Sequence, residues 1–77
     1  MRTTVAKMPL DRTATVAAVG GERAYRRRLM ELGFVPGARV RLVRRVDVGN
    51  VLEVELRASR VSLRISEAGA VEVEVAA

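Results

Sequence analysis

The chain has 77 residues, a net charge of +5 and 49% hydrophobic residues, enough for one β-rich core and too little for two. It contains no cysteine and no histidine, which excludes a disulfide framework, a thiolate metal site and any catalysis that needs an imidazole base. No run approaches the ~20 apolar residues of a bilayer span, and the N-terminus lacks the apolar stretch of a signal peptide, so a soluble cytoplasmic protein is expected.

Met1 to Ala6 has no periodicity and reads as a loosely held lead-in, so that the folded core runs roughly from residue 8 to 75 of a single domain, 1–77. Met8-Pro9-Leu10 supplies a hydrophobic anchor. Thr13 to Val19 reads as a strand of small residues, with Ala14, Val16 and Ala18 on one side. Gly20-Gly21 ends it. From Glu22 to Gly37 comes the only helical stretch: Tyr25, Leu29 and Leu32 recur at steps of four and three and are expected inward, with Arg28 at the margin. Arg23, Arg26, Arg27 and Met30 face away from that stripe, and Arg27 and Glu31 are spaced to pair at i, i+4. Gly33 is the residue type that ends a helix in a left-handed conformation, and Pro36-Gly37 has the composition of a type II turn.

Ala38 to Val46 alternates and then slips at Arg44-Arg45, the signature of a β-bulge. Asp47 to Asn50 reads as a loop. Leu52, Val54 and Leu56 then mark a half-buried strand, Arg57 to Arg60 a connection, and Val61, Leu63 and Ile65 the next strand. Ser66 to Gly69 fits a single helical turn, and Val71, Val73 and Val75 close the pattern. The sum is mainly β: a small five-stranded SH3-like barrel with one short helix between strands 1 and 2. An oligonucleotide-binding fold of five strands would carry its helix later in the chain.

The segments Pro9-Leu10, Thr15 to Val19, Arg28-Leu29-Met30-Glu31-Leu32-Gly33-Phe34-Val35-Pro36-Gly37 and Val61 to Ala68, in this order and spacing, resemble the ferrous-iron transport A (FeoA) domain family over Met8 to Val75. The resemblance implies a bacterial, cytoplasmic accessory protein of ferrous iron uptake that binds the cytosolic G domain of an FeoB-type membrane permease. A similar domain at the C-terminus of metal-dependent repressors makes a metal-responsive regulatory domain an alternative. The family motif also marks Arg28, Leu29, Leu32, Gly33, Gly37, Leu63 and Ala68 as structural positions.

Thirteen of the fourteen cations are arginine, and residues 1–45 carry eleven cations against three acids, so one face is expected to be basic. Nucleic-acid binding through Arg23, Arg26, Arg27, Arg39, Arg41, Arg44 and Arg45 is the rival reading. It is disfavoured because Tyr25 and Phe34 are the only aromatics, and the helix offers no Asn or Gln to read base edges. No catalytic residue, cofactor-binding residue or metal ligand is expected. A cluster of Glu53, Glu55, Glu72 and Glu74 would attract a divalent ion such as Fe²⁺ only weakly. The expected docking residues are Arg26, Arg27, Met30, Phe34, Pro36 and Arg64.

Overall fold

The computed structural model describes residues 1–46, 48–57 and 59–76. Strands β1 (Arg2–Thr4) and β2 (Thr13–Val19) precede helix α1 (Arg23–Leu32). Strands β3 (Arg39–Val46), β4 (Val51–Leu56) and β5 (Ser59–Arg64) lead to the single turn α2 (Ile65–Ala68), and β6 (Val71–Val75) ends the fold. The strands form one antiparallel sheet in the order β1-β6-β2-β3-β4-β5.

Period-two burial explains the three best-defined strands. Ala14 and Val16 of β2, Leu52, Val54 and Leu56 of β4, and Val71, Val73 and Val75 of β6 all enter one buried cluster. Every strand from β2 to β6 feeds this cluster, as do Val5 and Met8 of the segment after β1, so the sheet must curl around its own apolar face. Two register shifts give it the curvature, one at Val16/Ala18 in β2 and one at Leu42/Arg44 in β3. The second is the slip expected at Arg44-Arg45.

Four expectations are corrected. The lead-in is ordered: Arg2–Thr4 pairs with β6, and Val5 is fully buried, so the described residues form six strands and the helix lies between β2 and β3. Among the described residues the sheet is not closed by hydrogen bonds, because β1 and β5 stand at its two edges. Ile65 does not continue β5; it opens α2 and is exposed. Tyr25 and Leu32 are exposed as well, and Leu29 alone of the helical stripe is buried. The expected loop at 47–50 and connection at 57–60 each include one residue outside the described residues, Asp47 and Ala58; Ser59 and Arg60 already belong to β5.

Helix α1 ends in a left-handed cap. Gly33 adopts φ 113°, its N–H donates to the Met30 carbonyl, and the Phe34 N–H donates to the Leu29 carbonyl. This paired pattern brings Leu29 and Phe34 together, both fully buried. Pro36 and Gly37 then form the expected type II turn, with Gly37 at φ 93° and the Ala38 N–H on the Val35 carbonyl at 2.9 Å.

A Cβ at Gly33 would lie 2.9 Å from Leu56 Cδ2, whereas one at Gly37 would meet nothing within 4 Å. Both glycines have positive φ, so alanine strains either site, but only at residue 33 must the core also move. Gly37→Ala is expected to cost about 1 kcal/mol and Gly33→Ala about 2 kcal/mol or more, read from urea denaturation midpoints.

Candidate docking face and its tether

Leu29 turns inward at the C-terminal end of α1, which leaves Met30 on the outer side, 42% exposed. Met30 divides two depressions. One of about 490 Å³ is lined by Arg23, Arg26, Arg27, Met30, Glu31 and Val35. The other, of about 360 Å³, lies between the helix and β2 and is lined by Ala17, Ala18, Val19, Arg26, Met30 and Pro36. Small residues of β2 thus form the floor of a surface groove. Their half-burial next to Met30 was not inferred from the sequence, although their small size was its signal.

The structure brings Arg26, Arg27, Met30 and Pro36 together on this face. It does not bring Phe34 there. The Phe34 ring is 0% exposed, because the left-handed turn at Gly33 directs it into the core against Leu29, so it offers no surface to a partner. Arg64 lies elsewhere, in a depression lined by Gly49, Asn50, Ile65 and Ser66.

Arg28 has a different task. Its Nη1 is 3.0 Å from Glu67 Oε2, and the Glu67 side chain is only 5% exposed. The other carboxylate oxygen accepts the Arg64 N–H at 3.0 Å, so Glu67 caps α2 and holds α1 at once. A glutamate three residues after the start of a helical turn is a capping signal. Sequence reasoning passed over it, and over its pairing with Arg28.

The basic face is smaller than the arginine count implies. Arg27 sits 3.6 Å from Glu31 as expected, but both are exposed and the pair contributes little. Arg41 binds Asp11 at 3.1 Å and Glu55 at 3.3 Å, Arg44 binds Glu53 at 3.1 Å, and Arg45 donates to the Met8 carbonyl at 2.8 Å. Of the seven arginines invoked for nucleic acid, three are neutralised by carboxylates and one is spent on the backbone.

The four strand glutamates are paired in the same way and do not form one cluster. Glu53 and Glu55 lie on β4 opposite arginines, while Glu72 faces Arg2 at 3.8 Å and Glu74 takes the Met1 amino group. β4 and β6 are separated by β2 and β3 in the sheet. Among the described residues no three His, Cys, Asp or Glu side chains are grouped to hold a metal ion, and no helix is long and apolar enough to cross a membrane.

The fold is thus a curled six-stranded sheet carrying one peripheral helix, with an apolar and basic groove along it. The FeoA domain model matches residues 3–75, and the chain belongs to that family. It is similar to FeoA of Stenotrophomonas maltophilia, a prokaryotic SH3 domain protein solved in complex with zinc, at 42% identity and a TM-score of 0.81, covering 94% of this chain and 89% of that one. FeoA of Chlorobium tepidum is similar at 32% identity and a TM-score of 0.87, covering 97% of this chain and 71% of that one. The fold, at 20% identity and a TM-score of 0.87, also matches 42% of a manganese-dependent transcriptional repressor, spanning 97% of this chain. No curated protein sequence matches the chain. The SH3-like architecture and the link to ferrous iron transport follow from the family.

Arg28→Ala leaves a buried carboxylate with one backbone partner and is expected to destabilise by about 1–2 kcal/mol. A double-mutant cycle with Glu67→Ala should show coupling of about 1 kcal/mol. Arg27→Ala, which loses only an exposed pair, should stay within about 0.5 kcal/mol of the parent, all by urea denaturation.

Proposed function

We propose that the chain is a cytoplasmic accessory protein of ferrous iron uptake that docks, through the outer face of α1, on the cytosolic G domain of an FeoB-type membrane permease. The observation that carries this reading is Met30: a flexible apolar side chain, exposed at the centre of the block that also carries the family resemblance, with Arg23 and Arg26 on one side and a floor of small β2 residues on the other. Neither Arg23 nor Arg26 has an ion-pair partner among the described residues. A thioether adapts to the shape it meets, and unneutralised guanidinium groups steer an acidic surface towards it. Iron is the permease's cargo in this reading, and each carboxylate of β4 and β6 already faces a cation of the chain itself. The role proposed is recognition without catalysis.

Titration of the purified G domain against Met30→Asp and Arg26→Glu variants tests this reading. Each substitution should weaken binding by about tenfold, with the parent affinity falling as salt rises. Arg64→Ala should leave it unchanged. Binding that is indifferent to both α1 substitutions would remove the docking face from α1.

A further inference from the structure

Away from α1, the β4–β5 connection holds a residue the backbone would not choose. Leu56 pairs with Ser59, so only two residues join the strands, and a two-residue hairpin asks for Gly, Asn or Asp at positive φ. The chain has Arg57 there, at φ 59°. Among the described residues the other non-glycine positions with positive φ are Asp11 and Asn50, types that tolerate it.

Arg57 stands beside a second unneutralised arginine. Val40 pairs with Leu56, so Arg39, one residue before Val40, comes level with Arg57, one residue after Leu56. Two like charges lining one depression repel each other. Neither guanidinium has a carboxylate partner among the described residues. Both line a depression of about 280 Å³ with Thr13, Val40, Arg41 and Glu55. Glu55, its one acid, is already held by Arg41. Thr13 pairs with Arg41, which sets its hydroxyl on the same face of the sheet.

We infer that Arg39 and Arg57 form an anion site that takes a phosphate group, as the free ion or as a monoester. Two planar forks and a hydroxyl offer more donors than a planar carboxylate accepts, and a bound dianion relieves the repulsion between the two arginines. This site shares no lining residue with the groove at Met30 and does not depend on the docking reading.

The test uses the full chain and its Arg57→Asn and Arg39→Gln variants, titrated with inorganic phosphate, O-phosphoserine and acetate at constant ionic strength, read by NMR shifts of the guanidinium N–H groups. Saturable binding of phosphate or phosphoserine at Arg39 and Arg57, weakened about tenfold by either substitution, supports the site. Arg57→Asn should also melt no lower than the parent, since asparagine suits the backbone there, so lost binding cannot be ascribed to lost fold. The inference is overturned by non-saturating shifts, by unchanged affinity in Arg57→Asn, by equal affinity for acetate, or by binding seen only with a polyanion such as duplex DNA.

Discussion

The left-handed turn at Gly33 is the constraint on which the rest of the molecule rests. Its Cα lies against Leu56 so closely that no Cβ fits without movement, and its two capping hydrogen bonds lock Leu29 to Phe34. Those two side chains carry α1 into the core. The remainder of the helix is held outside it, with every residue from Gly21 to Arg28 exposed. A second tether, from Arg28 to the buried Glu67 carboxylate, joins the helix to α2. The face proposed for docking is therefore what remains once one turn of the helix has been spent on attachment. A helix joined at one end and by one ion pair belongs to the less stable part of a fold, which suits a surface that must adjust to a partner.

Strands whose side chains alternate between core and solvent could be read directly, because a period of two is a local property. Thr13–Val19 is found at its expected bounds, and Val71, Val73 and Val75 are buried as the alternation requires. The bulge in β3 was legible for the same reason, since a break in alternation has few other causes. β1 was not legible: three residues hold no pattern, and their strand character comes from β6, about seventy positions away. Alternation also ran one residue too far at Ile65, because Arg64 is still extended at φ −72°, ψ 151° when it starts α2.

Helical periodicity names the inward face but not how much barrel there is to cover it. Tyr25 and Leu32 share the stripe of Leu29 and nevertheless stay exposed. Phe34 failed in the opposite direction. Its place at a corner beside proline and glycine looked like a surface, yet a capped helix end commonly drives the residue after its glycine into apolar contact with the last turn. That contact is what buries the ring.

Charge is the property that sequence counting represents least well. The register of β3 on β4 sets Arg41 opposite Glu55 and Arg44 opposite Glu53, so a stretch that looks uniformly basic is largely neutral across the strand pair. The strand order in turn sets β2 and β3 between the carboxylates of β4 and those of β6. Among the arginines with no carboxylate partner in the described residues, Arg23 and Arg26 lie beside Met30, and Arg39 lies with Arg57. The first adjoins apolar surface, where a cation orients a partner that is bound mainly by burial. The second has hydroxyl and guanidinium neighbours and little to bury, so only an anion gains there. Identical side chains thus have two different prospects, decided by what the sheet places next to them.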